Sequence, residues 1–315
     1  MIIITGGCGF IGSRLLQGLF DSGYNGRVTV VDNLSDNNVK KISKFPIYDF
    51  MSPSVFLSNS KSLTSDSQCV FHQGAITDTA YENVEELMRM NYSYTRNLLL
   101  QCVVNKTRIV YASSAAVYGD GKNGFKENVS SEGPLNVYGF SKLLIDNWLR
   151  HSSFFKDSSI FGLRYFNVYG MGEEHKGNMS SPVLKFFKDA GDTGSTIKIF
   201  EGSEGFYRDF VSIEDIVKVN ISCGLGDITP GIYNVGSGKK ISFLKVAEIV
   251  RDFCEFDVKI EDIRFPDNLK GRYQANTHAN LVSLRKAGYK DKMIYPESGI
   301  KKYLSALSKD SRDNL

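Results

Sequence analysis

The first half of the chain alternates short apolar runs with longer stretches in which apolar residues recur at helical spacing. The longer stretches predict helices at Phe10–Ser22, about Val84–Val104 and Leu135–His151. The short runs predict strands at Ile2–Thr5, Arg27–Asp32, Gln68–His72, Thr107–Ser113 and Ile160–Tyr165. Unbroken apolar strands separated by helices are typical of a parallel sheet with helices on both faces. We therefore expect an α/β fold built on a doubly wound parallel sheet.

After Tyr165 the pattern loosens and predicts a smaller α/β lobe. A loop rich in glycine and serine at 170–181 precedes a helix near 182–190 and short strands at 197–200 and 232–235. The stretch 208–223 predicts a helix-bearing segment that returns to the first lobe, and the polar stretch 52–67 predicts no element. The domain boundaries that we expect are 1–166, with a returning segment near 206–226, for the first domain, and 167–205 with 227–315 for the second.

The composition of the 315-residue chain is that of an ordinary soluble protein, with 42% hydrophobic and 23% charged residues. Its net charge of +3 is too small to indicate a nucleic acid or a membrane as a partner. The five cysteines are scattered and form no CxxC or Cys/His cluster, so we expect neither disulfides nor a metal site. The apolar run at the start is too short for a signal peptide or a membrane span. These features predict a cytoplasmic protein.

The first strand is followed directly by TGGCGFIG, residues 5–12, which places glycines at 6, 9 and 12. Gly6, Gly9 and Gly12 would allow a tight turn, a close approach of the backbone to a pyrophosphate, and close packing of helix on strand. The helix that follows would present free N–H groups and a positive dipole end to the phosphates. The pattern predicts a Rossmann-type dinucleotide site, whereas the alternative is a strand–helix turn without a ligand.

Asp32 ends the next strand, about twenty residues after Gly12, where a carboxylate binds the adenosine ribose. This position favours NAD, because a carboxylate repels the 2′-phosphate of NADP. Lys40 and Lys41 lie a short loop away and would offset that repulsion. The residues by themselves leave the choice between the two cofactors open.

Two hexapeptides, VYGDGK at 117–122 and VYGFSK at 137–142, each place a tyrosine four residues before a lysine. The chain holds 16 tyrosines, so the spacing alone proves little and its context has to decide. Tyr118 and Lys122 enclose two glycines and an aspartate, which predicts a loop. Tyr138 and Lys142 lead into an amphipathic helix, where residues four apart share a face. The second pair is therefore the candidate catalytic pair.

Ser114 follows an apolar strand, at the carboxyl edge where open α/β sheets bind ligands. Ser114, Tyr138 and Lys142 can therefore converge on a nicotinamide. An unperturbed tyrosine has a pKa near ~10, which is too high for a base at neutral pH. A neighbouring ammonium and an oxidised nicotinamide would lower the pKa of Tyr138, while Ser114 held the substrate oxygen. The alternative is a surface helix whose tyrosine and lysine have no catalytic role.

Three segments, TGGCGFIG, YASSAAVYG and YGFSK, together resemble the extended short-chain dehydrogenase/reductases that act on nucleotide-activated sugars. Within that group the chain is most similar to the ADP-L-glycero-D-manno-heptose 6-epimerases. The likeness spans nearly the whole chain, is weakest from about 36 to 68, and is most specific in HKG and KGRYQA. The segments that carry it are PLNVYGFSK (134–142), RYFNVYG (164–170), EEHKGNM (173–179), FEGSEGFYRDFV (200–211) and FPDNLKGRYQA (265–275).

The resemblance implies an isomerase of lipopolysaccharide inner-core synthesis that oxidises C6 of an ADP-heptose with tightly bound NADP and returns the hydride to the opposite face. It also implies that Tyr138 serves one epimer and Lys176 the other, and that the protein is a homo-oligomer tolerating some NAD. Lys176 has to be neutral to accept a proton, so its pKa would have to fall through burial or nearby cations. Without the resemblance, Lys176 would be interpreted as a solvated loop lysine.

Further positions take a role from the resemblance. Arg208 also has chemical support, because a guanidinium forms bidentate bonds with a diphosphate; the alternative is a surface pair with Asp209. The positions that match cofactor contacts are Phe10, Ile11, Asp32, Asn33, Lys40, Gln73, Gly74, Ala75, Ile76, Thr77, Asn91, Lys142, Val168 and Lys176. Those that match substrate contacts are Ser114, Asn167, Asn178, Lys185, Phe200, Glu201, Gly202, Ser203, Arg208 and Tyr273.

The chain departs from the family pattern at three positions. Gln73 stands where an acid is common, and Asn178 stands where a serine is usual. Pro53 occupies the place of a cofactor lysine, which leaves Lys40 as the candidate. These departures bear on the preference for NADP more than on the fold.

Three rival functions were weighed against this interpretation. Related dehydratases need a pair of acids after the serine, but here Ala115 and Ala116 follow it, so elimination is not supported. A UDP-hexose 4-epimerase remains an alternative, because its cofactor half would look the same. A non-catalytic dinucleotide-binding protein is the third. The joint presence of Ser114, Tyr138, Lys142 and Lys176 argues against it.

Overall fold

A computed structural model of the chain describes residues 1–33, 40–79, 81–191, 193–266 and 274–313. Its strands, in chain order, are β1 (Ile2–Thr5), β2 (Val28–Val31), β3 (Asp49–Met51), β4 (Cys69–His72), β5 (Arg108–Ser114), β6 (Ile160–Tyr165), β7 (Asn167–Tyr169), β8 (Thr196–Phe200), β9 (Tyr207–Ser212), β10 (Gly231–Val235), β11 (Lys240–Ser242) and β12 (Lys259–Ile263). Its helices include α1 (Phe10–Asp21), α2 (Pro53–Ser65), α3 (Val84–Met88), α4 (Thr95–Val104), α5 (Val137–His151), α6 (Pro182–Asp189), α7 (Ile213–Leu225), α8 (Phe243–Phe253), α9 (Val282–Lys286) and α10 (Pro296–Asp313).

Shorter helical turns connect these elements. A π-helical turn at Arg89–Tyr94 joins α3 to α4, so the long helix that the sequence predicts is continuous but locally widened. Turns of 3₁₀ type lie at Ala115–Tyr118, Val129–Ser131, Phe155–Asp157, Glu174–Met179 and Ser203–Gly205.

Seven strands form one parallel sheet in the order β10-β6-β5-β4-β1-β2-β3, which confirms the predicted fold class. All residues of β1, β2 and β4 are buried, as expected for strands covered on both faces. The strand order reverses between β1 and β4, and ligands bind at the carboxyl ends of the strands on either side of such a switch point. The glycine turn after β1 and the segment Gln73–Thr77 after β4 both lie there.

Helices α1 and α7 pack in the same core of the large sheet. Leu15 and Leu19 of α1 are fully buried together with Ile216 of α7. Gly18 allows the close crossing, since a Cβ at this position would lie 2.3 Å from the side chain of Val217. Helix α7 therefore packs beside α1 in the core of the large sheet.

A second core lies beneath two smaller sheets. Strands β11, β9 and β7 form one sheet, and β8 pairs in parallel with β12 in the other. Val246 and Val250 of α8 and Ile300 and Leu304 of α10 are fully buried in this core. No helix within the described ranges is long and apolar enough to cross a membrane.

Strand β10 corrects one predicted boundary. It pairs in parallel with β6 at the edge of the large sheet, although the sequence analysis assigned 227–315 to the second domain. That assignment is wrong for β10, because the chain returns to the sheet edge after α7. The other domain boundaries stay a prediction.

Several elements were not predicted from the sequence, namely β3 and α2 in the first half of the chain and β7, β9, β11, β12, α8, α9 and α10 in the second. Strand β3 has only three residues. Helix α2 begins after Ser52, whose hydroxyl accepts the Val55 N–H at 3.4 Å. It buries only Phe56, Ser60 and Thr64, so its apolar stripe is too thin to show in the hydrophobic pattern.

Candidate active site

The glycine turn between β1 and α1 is folded tightly on itself. Gly6 has a φ of +68°, which favours glycine. A Cβ at Gly12 would lie 2.0 Å from the Gly6 carbonyl oxygen, so the start of α1 packs directly on the turn. Gly9 caps α1 without a side-chain hydrogen bond, and no acidic residue lies in the first turn. The first N–H groups of α1 therefore suit a diphosphate, and the turn fits a dinucleotide.

Asp32 lies beside this turn, directly after β2. Its Oδ2 accepts the Cys8 N–H at 2.8 Å, and its Oδ1 accepts the Asn33 N–H at 2.7 Å. Burial raises the pKa of Asp32, while these N–H donors and the Lys41 ammonium oppose the rise. Lys41 donates to the Cys8 carbonyl oxygen at 3.3 Å. The lysine that the structure brings to the turn is therefore Lys41, whereas Lys40, the predicted cofactor lysine, is exposed.

The segment after β4 touches the glycine turn. A Cβ at Gly6 would lie 2.5 Å from the Gly74 nitrogen, so these two backbones are in contact across the switch point. Gln73 donates from Nε2 to the Asn220 Oδ1 of α7 at 3.0 Å and accepts the Tyr165 hydroxyl at 3.0 Å. This network fixes the entry of the segment that was predicted to hold the cofactor.

Asn91 fixes the middle of the same segment. It is fully buried in the π-helical turn, where its Oδ1 accepts the Ile76 N–H at 2.8 Å and its Nδ2 donates to the Ile76 carbonyl oxygen at 2.9 Å. Its Nδ2 also lies 3.3 Å from the Ser141 Oγ of α5. The structure thus gives Asn91 a role in holding the segment against α5, and a direct contact with a cofactor stays a prediction.

Tyr138 and Lys142 lie one turn apart at the start of α5. Asn136 caps this helix by accepting the Gly139 N–H at 2.8 Å. Lys142 is 5% exposed, and its Nζ donates to the Ala112 carbonyl oxygen of β5 at 2.9 Å. The same Nζ lies 5.9 Å from the centre of the Tyr138 ring. Burial lowers the pKa of Lys142 to about 8.

Ser114 is the last residue of β5 and meets Tyr138. Burial raises the pKa of the Tyr138 phenol, and a hydrogen bond with the Ser114 side chain opposes that rise. The Ser114 Oγ also accepts the Ala116 N–H at 3.1 Å. From the sequence we expect the Lys142 ammonium to lower the pKa of Tyr138. In the protein without a bound cofactor, burial is the larger effect, and the pKa of Tyr138 is raised.

Lys176 comes from a different element, the 3₁₀ turn Glu174–Met179. Its Nζ lies 5.6 Å from the centre of the Phe10 ring at the start of α1. Burial lowers the pKa of Lys176, Glu173 opposes this fall, and Lys185 reinforces it. The next residue, Gly177, has φ +51° and ψ −123°, a conformation that favours glycine and explains the HKG sequence. Lys176 is thus turned inward and is not a solvated loop lysine.

One cavity of about 260 Å³ brings these side chains together. Tyr138 of α5 and Lys176 of the loop after β7 both line this cavity. The predicted residues that line it are Phe10, Ile11, Gln73, Ala75, Thr77, Ser114, Tyr138, Lys142, Asn167, Val168 and Lys176. Its other lining residues are Ala112, Ser113, Tyr165, Phe166, Met179, Ser180, Ser181, Pro182 and Phe210.

A second cavity of about 630 Å³ adjoins the first. Asn167, Met179, Ser180 and Pro182 line both cavities, so the two form one continuous cleft. The predicted substrate residues in the second cavity, besides Asn167, are Lys185, Phe200, Ser203 and Arg208. The cavity is also lined by Asp189, but the cations Lys185, Lys198 and Arg208 outnumber it, so the balance of charge suits an anionic ligand.

Arg208 and Asp209 are both buried, so the surface ion pair considered from the sequence does not fit. The guanidinium carbon of Arg208 lies 5.6 Å from the centre of the Phe243 ring. The Asp209 carboxylate accepts the N–H groups of Ser237 at 2.6 Å and Ala279 at 2.9 Å. Asp209 thereby anchors the neighbouring loops to β9, while Arg208 lines the cavity.

Lys198 lines the second cavity and was missed from the sequence. A signal was present, because β8 alternates buried Ile197 and Ile199 with more exposed neighbours. Lys198 shares its face with Phe200, which had been identified. The apolar lining residues gave no comparable signal, since any buried apolar residue fits the hydrophobic pattern.

Some predicted residues are not placed in either cavity. Glu201 and Gly202 are exposed in the turn after β8 and line neither one. Tyr273 lies outside the described residues, and only the backbone of Asn178 is described.

The hexapeptide VYGDGK, residues 117–122, has a structural role. Tyr118 is 2% exposed, and its hydroxyl donates to the Asn234 Oδ1 at 2.6 Å and accepts from the Arg164 Nη1 at 2.9 Å. Lys122 forms an exposed ion pair with Asp120 at 2.7 Å. Tyr118 and Lys122 therefore do not act on one ligand, which supports the choice of the second hexapeptide.

Comparison with known proteins shows which family the chain belongs to. A model of the NAD dependent epimerase/dehydratase family matches residues 2–236. The chain belongs to this family. A curated ADP-L-glycero-D-manno-heptose-6-epimerase of Brachyspira hyodysenteriae is 42% identical over 319 residues, which covers 98% of each chain. The resemblance inferred from the motifs is thereby confirmed, and membership of the family supports a nicotinamide dinucleotide cofactor.

Solved structures agree with this placement in the family. The crystal structure of the Helicobacter pylori ADP-L-glycero-D-manno-heptose-6-epimerase matches with a TM-score of 0.81 at 33% identity, covering 98% of this chain and 96% of that one. A UDP-N-acetylglucosamine 4-epimerase from Methanobrevibacter ruminantium matches with a TM-score of 0.82 at 24% identity, covering 98% of both chains. The second match shows only that the fold is shared.

Proposed function

We propose that the protein is an ADP-glyceromanno-heptose 6-epimerase, which inverts the configuration at C6 of an ADP-heptose. The observation that carries the proposal is the joint presence of Tyr138 and Lys176, from separate elements, in one cavity. Inversion at a carbon through a ketone requires that hydride reach both faces of that carbon, and proton-transfer groups on two sides of it serve both epimers better than one side chain placed on a single side. The 42% identity to the Brachyspira hyodysenteriae epimerase supports this sugar over a UDP-hexose.

The chemistry that a nicotinamide dinucleotide would supply at the glycine turn is reversible hydride transfer at C6. The residues that would hold the dinucleotide are those of the glycine turn, Asp32, the segment 73–77, Lys142 and Val168. We infer NADP as the cofactor, because Lys41 lies where its ammonium can offset the repulsion between Asp32 and a 2′-phosphate. Mass analysis of the nucleotide released on denaturing the purified protein distinguishes NADP from NAD.

Tyr138 would exchange a proton with the C6 hydroxyl of one epimer. Its pKa is raised by burial, so ionisation requires the positive charge of Lys142 together with that of the oxidised nicotinamide. Ser114 would donate a hydrogen bond to the substrate oxygen while it also contacts the phenol. Lys142 is held for this role by the Ala112 carbonyl oxygen.

Lys176 would exchange the proton of the other epimer. A lysine acts as a base only when it is neutral, and burial together with Lys185 lowers its pKa in that direction. The Phe10 ring beneath the ammonium places Lys176 over the start of α1. The amine and the phenol therefore approach a common ligand from different segments of the chain.

The second cavity would hold the ADP portion of the substrate. Arg208 suits the diphosphate, because a guanidinium donates two parallel hydrogen bonds to phosphate oxygens. Lys185 and Lys198 add two further cations to the same cavity. Phe200, which also lines this cavity, offers an apolar surface for the nucleoside.

The test is incubation of the purified protein with ADP-D-glycero-D-manno-heptose or with UDP-galactose, followed by NMR of the sugar ring. We expect inversion at C6 of the heptose and no change in the UDP-hexose. Turnover of the UDP-hexose alone would favour a 4-epimerase, and turnover of neither would favour a non-catalytic dinucleotide-binding protein.

A further inference from the structure

The loop that carries Lys176, residues 170–181, is closed by one buried carboxylate. Glu173 is fully buried within this loop. Its Oε1 accepts the Gly170 N–H at 3.1 Å and the Ser181 hydroxyl at 2.7 Å, and its Oε2 accepts the Ser181 N–H. A single side chain thus joins the first residue of the loop to the last.

The backbone of this loop depends on such a brace. Gly170, Gly172 and Gly177 have φ angles of +136°, +101° and +51°, so much of the loop lies outside regular structure. The short 3₁₀ turn Glu174–Met179 is the regular element within it. The Lys176 N–H donates to the Glu173 carbonyl oxygen at 2.9 Å, which places the lysine one turn from the brace.

The charges around Lys176 come from three directions. Burial raises the pKa of Glu173, and the hydrogen bonds that its carboxylate accepts from Ser181 and Gly170, together with the charge of Lys176, oppose this rise. Glu173 raises the pKa of Lys176 against the larger effect of burial, and Lys185 of α6 lowers it. His175 and Lys176 also interact. Burial lowers the pKa of the His175 imidazole, and the charges of Lys41 and Lys176 lower it further. Tyr138 and Lys142 face Lys176 from α5 across the cavity.

The Tyr303 phenol of α10 packs against the loop from the other side. Burial is the main reason that the pKa of Tyr303 is raised, and the charges of Glu173 and Glu174 add to that rise. Glu173 is therefore enclosed by protein and does not line the cleft. A buried carboxylate that touches no ligand but closes the catalytic loop acts through another residue.

We propose that Glu173 is a positioning residue, which holds Lys176 in the cavity by bracing both ends of the loop 170–181. The proposal rests on the proposed function, in which Lys176 serves one of the two epimers. Glu173 then has two separable effects on Lys176. The length of the Glu173 side chain sets the position of Lys176, and the negative charge of Glu173 increases the proton affinity of Lys176.

Glu173→Gln tests both effects. The one oxygen of the amide cannot accept all three hydrogen bonds, so the loop loses part of its closure. We expect hydride transfer from the epimer that Lys176 serves to slow by about 10–100-fold, the usual consequence of a misplaced catalytic group. Loss of the negative charge makes Lys176 easier to deprotonate, so the pH profile of that transfer should move to lower pH. Transfer from the epimer that Tyr138 serves should be unchanged.

Glu173→Asp separates the two effects and keeps the test valid if the amide variant does not fold. It retains the charge but is one methylene shorter, so it cannot reach Gly170 and Ser181 together. We expect slower transfer with the Lys176 epimer and an unshifted pH profile. Glu174→Gln is the matched control, because Glu174 is exposed and accepts only the Gly172 N–H at 3.0 Å in this loop. The control should behave as the unmodified protein does.

The measurement is the appearance of reduced nicotinamide after rapid mixing of each epimer with the cofactor-loaded protein. Competitive acetylation of Lys176 across pH, read by mass spectrometry, reports its titration independently of turnover. The proposal predicts that Glu173→Gln moves this titration to lower pH and that Glu174→Gln does not. An unmoved titration, or equal slowing with both epimers, would overturn it.

Lys176→Met distinguishes a failure of this proposal from a failure of the proposed function. If Lys176→Met abolishes transfer from one epimer but Glu173→Gln has no effect, only the role of Glu173 is wrong. If Lys176→Met leaves both transfers intact, the two-base assignment itself is wrong, and the positioning role of Glu173 fails with it.

Discussion

Replacing Arg164 by methionine should destabilise the protein strongly, because this arginine neutralises two carboxylates beneath the active site. Arg164 and Asp146 are fully buried, and the side chain of Glu132 is 3% exposed. The Arg164 Nε donates to the Asp146 Oδ2 at 2.8 Å, and Nη2 binds Glu132. Asp146 lies one turn after Lys142 on α5, so the cluster fixes the catalytic helix to the sheet.

The magnitude follows from the charges left behind. Arg164→Met leaves the Asp146 carboxylate without its cationic partner in an interior that cannot solvate it, while Glu132 retains Arg150. Breaking a buried ion pair in this way costs about 3–5 kcal/mol. A domain has about 5–15 kcal/mol of stability in total, so the loss is a large fraction of it.

Urea unfolding, followed by the fluorescence of the single tryptophan, Trp148 of α5, measures this loss. The matched control is Arg150→Met, since Arg150 binds the same Glu132 but is 20% exposed at its side chain. An ion pair that reaches solvent contributes about 1 kcal/mol or less. Equal losses in the two variants, or a loss below about 1 kcal/mol for Arg164→Met, would refute the argument from burial.

Further predictions concern Lys142 and the glycine-rich segments. The pKa of Lys142 is lowered to about 8 in the folded protein, so the unfolded chain binds more protons above that pH and stability should rise between about pH 8 and 10.5. In thermal unfolding across this range, Lys142→Met should show a smaller rise, and an unchanged rise would contradict the assignment. Gly12→Ala should abolish cofactor retention on gel filtration, because its Cβ would lie 2.0 Å from the Gly6 oxygen; retained nucleotide would count against the tight turn. Gly177→Ala should slow epimerisation while cofactor stays bound, because φ there is +51°; full activity in the same NMR assay would show that the loop tolerates a side chain.

The large sheet could be predicted from the sequence because its strands are buried on both faces. Runs such as Ile2–Thr5 and Ile160–Tyr165 are mostly apolar and coincide with the observed strands β1 and β6. Helix α2 could not be found in this way, because it buries only three side chains, two of them polar. Strand β10 was recognised as a strand, but its place at the sheet edge depends on tertiary pairing that no local pattern reveals.

The site could be predicted where chemistry and spacing coincide. Tyr138 and Lys142 were identified by a helical spacing, and the structure places both in one cavity with Ser114. Lys176 has no such local signal and was reached only through the family resemblance. Its inward direction depends on Gly177 and on the brace formed by Glu173, which are features of the folded loop.

The choice between Lys40 and Lys41 illustrates a limit of sequence spacing. The two lysines are adjacent, so their distance along the chain from Asp32 does not separate them. Only the fold shows that Lys41 reaches the Cys8 carbonyl oxygen while Lys40 is exposed. The direction of one side chain thus shows which of the two lysines lies at the glycine turn.

The central claim is that a phenol and an amine act on the same carbon from different segments of the chain. Its most direct test is rapid mixing of each C6 epimer with Tyr138→Phe and with Lys176→Met, both loaded with cofactor, while reduced nicotinamide is recorded. The account predicts that each variant still oxidises one epimer and that the epimer differs between the two variants. Oxidation of both epimers by either variant, or loss of the same epimer in both, would contradict it.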